Sequence, residues 1–163
     1  MQILNRLALC DDSLMAAIGI NPAAVDATKT GAQGQMSLQR IDDPAFVIRM
    51  GDHHIVHVRV CDVWTPDIAE RYWRVFLPFL HQSRVHFGGY AKALIDRRGT
   101  PIMPIAMIQK MREGVLEHYR SEDRLALVVD SSPLKAQIRQ NYPLPNLDAF
   151  LSHDAALAWL INT

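Results

Sequence analysis

Cysteine is scarce in this sequence, and the scarcity limits the class of protein. The 163 residues include two cysteines, Cys10 and Cys61, so at most one disulfide bond can form. Small disulfide-stabilised domains and cysteine-based zinc sites both need more thiols than this. So few thiols in a chain of this length are typical of a reducing compartment, and we predict a cytoplasmic protein.

An excess of charge of either sign is also missing. Lys+Arg and Asp+Glu number 17 each, so the formal net charge at neutral pH is zero. Proteins that bind nucleic acid through its phosphates, or that bind anionic membrane surfaces, carry a marked basic excess. The composition therefore predicts no nucleic-acid partner and no polybasic membrane contact.

Long apolar runs are absent as well. The two longest cover residues 102–108 and 155–161, well short of the roughly 20 residues that a membrane-spanning helix needs. Asp11 and Asp12 interrupt the apolar N-terminal region, which argues against a signal peptide. The sequence therefore predicts no membrane span.

Enough apolar residues remain to build a hydrophobic core. They make up 49% of the chain, against 21% charged residues, which is ordinary for a folded domain. Residues 1–43 differ from the rest, because leucine spacing indicates a short helix near 2–18 and a linker-like composition follows at 27–39. We predict an N-terminal extension over 1–43 and a compact domain over 44–163.

Strand and helix patterns alternate from Pro44 onward, in the order β-β-α-β-α-β-α-β-α. Strands that are separated by helices must pair in parallel, whereas the first two can form a hairpin. We therefore predict an α/β fold with a mixed sheet of four or five strands covered by helices. The predicted strands are 45–50, 55–61, 90–95, 125–129 and 147–151, and the predicted helices begin near 66, 101, 132 and 152.

Three of the predicted strand-to-helix turns share one pattern, with an aspartate at the strand end and a hydroxyl–proline pair at the helix start. Ordinary capping explains it, since Asp, Ser and Thr satisfy free N–H groups and proline favours the helical backbone angle. The alternative is a ligand site, because open α/β sheets bind ligands at the carboxyl ends of their strands. The turns are Asp62…Thr65-Pro66, Asp96…Thr100-Pro101 and Asp130…Ser132-Pro133.

The element order and the closing segment 150–160, Phe-Leu-Ser-His-Asp-Ala-Ala-Leu-Ala-Trp-Leu, resemble the SpoIIAA-like branch of the STAS fold. The resemblance covers residues 44–163 and implies a regulatory module that binds a partner protein rather than an enzyme. Related domains bind nucleotides or lipids. In the anti-sigma-factor antagonists of this fold, a serine in the loop between the third strand and the second helix is phosphorylated by a partner kinase.

The loop that matches this phosphorylation site runs from Asp96 to Thr100. Arg97 and Arg98 stand where small hydroxyl residues are usual. Thr100 is the one hydroxyl residue between Asp96 and Thr100, and it is therefore the predicted phosphosite. Two arginines beside a helix N-terminus also suit an anionic ligand, although solvated loop arginines are the plainer interpretation. The candidate ligand- or partner-binding residues are Asp96, Arg97, Arg98, Thr100, Asp130 and Ser131.

Histidines and tryptophans each allow two interpretations. His53, His54 and His57 could contribute to a metal site, but the polar face of a strand is the better explanation, because strand alternation already requires polar residues there. We predict neither a metal nor a cofactor. Trp64 and Trp73 fall off the apolar stripe of the first helix. They are predicted to be partly exposed anchors of an interface, such as that of a homodimer, or to pack beneath the N-terminal extension.

Taken as a whole, these patterns predict a non-catalytic module that binds a protein partner or a small anionic or apolar ligand. The alternative is a small hydrolase or transferase that uses the crevice at the carboxyl ends of the strands. The sequence contains neither a glycine-rich phosphate loop nor a nucleophile elbow. A nucleophile and a base within hydrogen-bond reach near Thr100 would favour the enzyme.

Overall fold

The computed structural model describes residues 39–100, 103–142 and 144–162, which form one six-stranded sheet, four α-helices and a short 3-10 turn at Asp52–His54. None of these helices combines the length and the apolar character that crossing a bilayer requires. The strands are β1 (Arg40–Asp43), β2 (Phe46–Met50), β3 (Val56–Val60), β4 (Lys92–Asp96), β5 (Arg124–Val128) and β6 (Leu147–Phe150). The helices are α1 (Pro66–His86), α2 (Ile105–His118), α3 (Ser132–Asn141) and α4 (His153–Asn162).

The strands lie in the sheet in the same order as in the chain. The first three pair antiparallel, and β3 to β6 pair in parallel. Each crossover between parallel strands steps in the same direction, so right-handed connections place α1, α2 and α3 on one face of the sheet. α4 follows the last strand and packs on the opposite face, against β4, β5 and β6. The α/β class and the mixed sheet predicted from the sequence are confirmed.

The predicted count of four or five strands is wrong, because β1 adds a sixth. Its sequence, Arg-Ile-Asp-Asp, is short and charged, and Ile41 is its only buried residue, paired opposite Ile48 of β2. Such a segment shows no apolar alternation, so only its pairing with β2 identifies it as a strand. The sheet begins at Arg40, ahead of the predicted boundary at Pro44. The predicted helix near 2–18 lies outside the described residues.

Alternation along the strands divides the apolar side chains between two cores. Val58 and Ala93 belong to the larger core, which lies between the sheet and α1, α2 and α3. Leu94 and Ala126 belong to the smaller core under α4, where they meet Leu160. Successive residues of β4 therefore face opposite sides of the sheet, and this alternation determines where the residues after β4 point.

The prediction that Trp64 and Trp73 are partly exposed is wrong, because their exposed fractions are 3% and 8%. Trp64 packs edge-on against Phe46 and donates a hydrogen bond from Nε1 to the Ala45 carbonyl at 3.2 Å. Trp73 lies against Gly114 of α2, where an added Cβ would overlap the indole ring. The periodicity of α1 alone cannot reveal this burial, since α2 covers that side of the helix. Both rings are core residues, and the homodimer remains a prediction.

α1 begins at a side-chain cap that α3 lacks. The Thr65 hydroxyl accepts a hydrogen bond from the backbone N–H of Ile68 at 3.4 Å, whereas Ser131 precedes α3 without such a bond. Thr65→Ala should lower the free energy of unfolding by about 0.5–1 kcal/mol. Ser131→Ala should change it by less than about 0.5 kcal/mol. Urea unfolding of both variants measures the difference, and equal losses would contradict the capping role of Thr65.

Candidate functional site

The loop that follows β4 is held at its start by an ion pair. Arg98 binds the Asp96 carboxylate through Nε at 3.0 Å and Nη2 at 2.7 Å, and its backbone N–H donates to the same group at 3.0 Å. Burial by itself raises the pKa of Asp96, but the hydrogen bonds and charge of Arg98 outweigh it, so this pKa lies below its ordinary value. Arg98 therefore stabilises the loop through an internal partner.

The other polar groups of this loop also bind within the protein. Gly99 has a φ of 71°, a conformation that favours glycine, and it donates its N–H to the Asp130 carboxylate at 3.1 Å. The Thr100 hydroxyl donates to the carbonyl oxygen of Arg97 at 2.6 Å, and its N–H donates to the same oxygen at 3.2 Å. Ser131 occupies the N-cap position of α3 next to Asp130. The loop and the neighbouring turn thus meet, and the Asp130 carboxylate joins them.

Arg97 points to the other side of the sheet from Arg98. Ala93 and Ile95 face the larger core, and Arg97 continues that alternation past the end of β4. Its Nε is buried and has no hydrogen-bond partner. Burial lowers the pKa of the guanidinium, and no carboxylate of the described residues forms an ion pair with it. Arg97 is therefore a partly buried cation whose Nε is inside the domain, and it has no counter-ion among the described residues.

The Arg97 side chain lines a cavity between the sheet and the helices α1 and α2. The cavity has a volume of about 50 Å³. That is room for roughly three to five atoms of the size of a water oxygen or a methylene group. Its apolar walls include Met103, Met111, Val115, Leu125, Leu127 and Leu147. The space is thus apolar, with a charged group at its wall.

Tyr142 is the polar neighbour of Arg97 in this wall. Burial raises the pKa of Tyr142, and the positive charges of Arg97 and the exposed Arg112 offset part of that rise. The hydroxyl therefore stays protonated at neutral pH and can donate a hydrogen bond. A guanidinium fork and a phenol donor beside an apolar space can hold the head of an anion whose remainder is apolar.

Comparisons with known proteins bear on the fold. No protein-family model matches the chain, and neither does any curated protein. A solved structure from Shewanella loihica PV-4, described as an uncharacterized protein of the DUF3478 family with a SpoIIAA-like fold, is similar to it. The similarity covers 78% of this chain and 99% of that one, with 16% sequence identity and a TM-score of 0.55. This chain has a SpoIIAA-like fold. The resemblance predicted from the element order and the closing helix is confirmed at the level of the fold.

The sheet formed by the described residues lacks the reversal of strand order at which a ligand crevice forms at the carboxyl ends of the strands. Ligand crevices of open sheets form where the strand order reverses, and β3 to β6 follow one another without a reversal. Asp62 accepts a bond from the adjacent N–H of Val63, and Asp96 and Asp130 bind groups of the loop. The described residues instead form a partly open cavity beside Arg97, between the sheet and the helices α1 and α2.

Thr100 lies where the SpoIIAA-like resemblance places the phosphorylated residue, in the loop between β4 and α2. Its hydroxyl donates a hydrogen bond to the carbonyl oxygen of Arg97, so this bond would have to break before a kinase could phosphorylate Thr100. Phosphorylation of Thr100 stays a prediction. Among the residues that line the cavity, none is a serine, cysteine, histidine or carboxylate, so the cavity holds no nucleophile–base pair within the described chain.

The histidines singled out in the sequence lie apart from this cavity. His54 stacks on His86 with ring centroids 3.6 Å apart, and His57 stacks on His153 at 6.0 Å. His53 is exposed. Within the described ranges, no three or more His, Cys, Asp or Glu side chains converge as a metal site would require. The three histidines thus belong to two separate ring pairs and one exposed turn.

Sequence reasoning missed most of the residues that form the cavity. Val60, Met111 and Tyr142 come from β3, α2 and the end of α3, which lie far apart in the chain, and no local pattern connects them. One signal was available for Arg97, because continuing the alternation of Ala93 and Ile95 by two residues places it on the larger core. This continued alternation separates Arg97 from Arg98, although the two arginines are adjacent and have the same charge.

Proposed function

We propose that this domain is a non-catalytic module that binds a small anionic ligand, with the charged head on Arg97 and the apolar part in the cavity. The observation that carries the proposal is the buried Nε of Arg97, which has no hydrogen-bond partner. Taking part of a charged group out of water without giving it a partner is costly. An anion that pairs with the guanidinium would remove that cost through a short, charge-assisted hydrogen bond.

The neighbouring charges support an anion at this position. The Asp96 carboxylate, which is the acidic group closest in sequence to Arg97, is already bound to Arg98. Tyr142 adds a hydroxyl donor, and Arg112 adds positive charge that acts on the same phenol. The chain as a whole is neutral, so the attraction for an anion is local to this site.

The residues of the cavity support binding without catalysis. Its polar side chains are an arginine and two tyrosines, Tyr72 and Tyr142. Burial raises the pKa of both phenols, so neither serves as a base at neutral pH. Nucleophilic chemistry needs a nucleophile with a base beside it. A binding module needs only a fitted space and a few placed donors.

Arg97→Met tests the proposal, because methionine keeps an unbranched side chain and removes the charge. Hexanoate, hexyl phosphate and hexanesulfonate share one tail and differ in the anionic head, and hexanol is the neutral reference. At least one of the three anions should raise the melting temperature of the wild-type protein in a thermal-shift assay. Arg97→Met should weaken that binding by about tenfold to a hundredfold. Without ligand, the variant should be at least as stable as the wild type, since the substitution removes a partly buried charge that has no partner.

Arg98→Met is the matched control, because it removes the same charge one residue away. Arg98 binds Asp96 outside the cavity, so this variant should keep the ligand-dependent shift. A shift of the same size in the wild type and in Arg97→Met, or no shift by any of the anions, would refute the proposed site.

A further inference from the structure

We infer that the ligand of this site is a monocarboxylate with a short apolar tail of about three to five carbon atoms. The inference rests on the proposed function and specifies the chemical class of the ligand. It depends on three features of the described residues: the donors that remain free, the donors that are occupied, and the size and lining of the cavity.

The free donors match a carboxylate. The planar guanidinium of Arg97 can present two parallel N–H groups, which is the geometry that a carboxylate accepts. The Tyr142 hydroxyl can donate to one of the same oxygens. One full charge and one phenol suit a monoanion with two oxygens.

The occupied donors argue against a phosphate. Phosphate sites on α/β folds use consecutive backbone N–H groups of the loop before a helix. In the loop after β4, the N–H of Arg98 is bound to Asp96, that of Gly99 to Asp130, and that of Thr100 to the Arg97 carbonyl. A phosphate dianion would therefore find one partly buried cation and no free backbone N–H on Arg98, Gly99 or Thr100.

The cavity sets the length of the tail. Its volume of about 50 Å³ corresponds to roughly three to five carbon-sized atoms. Met103 and Met111 form part of the wall, and methionine adapts its shape to straight or branched chains. Tails of this length fill the space, and the added methylenes of longer tails would not be buried in it.

The experiment is isothermal titration calorimetry of the full chain with two series of ligands at constant ionic strength. The first series is acetate, butyrate, hexanoate and decanoate. Affinity should rise by about fourfold for each methylene up to hexanoate, which is the ratio expected from 0.8 kcal/mol per buried methylene, and should rise no further for decanoate. The second series compares hexanoate with hexyl phosphate, and hexanoate should bind at least tenfold more tightly.

Two variants of Arg97 and one of Val115 sharpen the result. Arg97→Met should lose hexanoate binding, and Arg97→Lys, which keeps the charge without the fork, should weaken it by about tenfold or more. Val115→Leu enlarges a wall residue and should shift the best tail to a shorter one. If Arg97→Met does not fold, Arg97→Lys and Val115→Leu still decide the outcome.

The outcomes separate this inference from the proposed function. Tighter binding of hexyl phosphate, lost in Arg97→Met, would overturn the carboxylate and leave the proposed anion site standing. A continued fourfold gain per methylene up to decanoate would overturn the short tail alone. Absence of Arg97-dependent binding throughout both series and with hexanesulfonate would overturn the inference and the proposed function together.

Discussion

Asp123→Asn is expected to lower the free energy of unfolding by about 3–5 kcal/mol, because it removes one partner of a buried ion pair. The Asp123 carboxylate, with 1% of its side chain exposed, accepts bonds from Arg84 and from the backbone N–H groups of Ala91 at 2.7 Å and Arg120 at 2.8 Å. Arg84 also donates to the His118 carbonyl at 2.8 Å. This one carboxylate therefore joins the ends of α1 and α2 to the start of β4. Without its charge, the Arg84 guanidinium stays largely buried and unneutralised.

The matched control is Asp148→Asn, at the pair that Asp148 forms with Arg139. The two bonds of that pair, at 2.7 and 2.9 Å, resemble those at Asp123 in chemistry, but the two side chains are partly exposed. Solvent screening limits such a pair to about 1 kcal/mol or less. Urea denaturation of the two variants and the wild type measures both effects. Equal losses in the two variants would show that the burial of Asp123 does not control its contribution.

Acidification from pH 7 to pH 4 should lower stability partly through His57. Its pKa is lowered to about 4, first by burial and then by the charges of Arg49 and His153, with Asp52 acting in the opposite direction. The ring lies over Gly51, where an added Cβ would overlap it. Between pH 6.5 and about pH 4, His57 is protonated in the unfolded chain but neutral in the folded protein. The free energy of unfolding therefore falls as the pH falls, and it levels off below about pH 4. Discounted for the partial exposure of the ring, the loss is about 1.5–2 kcal/mol.

His57→Gln should flatten this part of the pH dependence, because the ring that resists protonation is gone. Chemical denaturation at pH 7, 6, 5 and 4 gives the slope for each protein. His53→Asn, on the exposed turn between β2 and β3, is the control and should keep the wild-type slope. His54, whose pKa is lowered by burial and by His86, remains in both variants and contributes equally to them. An unchanged slope in His57→Gln would contradict the assignment of this effect to His57.

Local patterns predicted the elements from β2 to α4 because each pattern lies within one element. Valine alternation over Val56–Val60 marks β3, and the Thr65-Pro66 cap marks the start of α1. The four residues of β1 contain no such signal, and their pairing with β2 is a contact between two segments. The same limit applied to Trp73, whose burial depends on Gly114 of another helix.

The candidate site was also predictable only in part from local sequence patterns. The sequence indicated the loop from Asp96 to Thr100 and its positive charge, but Arg97 and Arg98 have the same chemistry and are adjacent. Their different environments follow from the pleat of β4, which directs Arg97 to the larger core and leaves Arg98 beside Asp96. Tyr142 reaches the same cavity from the end of α3.

The sequence by itself determined the order of the elements from β2 onward, the parallel pairing of strands that helices separate, and the SpoIIAA-like resemblance. The order and the pairing depend on periodicity and capping, which act over a few neighbouring residues. The resemblance depends on likeness of the element order and of the closing segment 150–160 to a known family. Only the tertiary structure decided the sixth strand, the burial of the tryptophans and the apolar cavity around one arginine. A cavity is the space left when side chains from distant segments pack together, so its size, its lining and its unpartnered charge exist only once the elements are assembled.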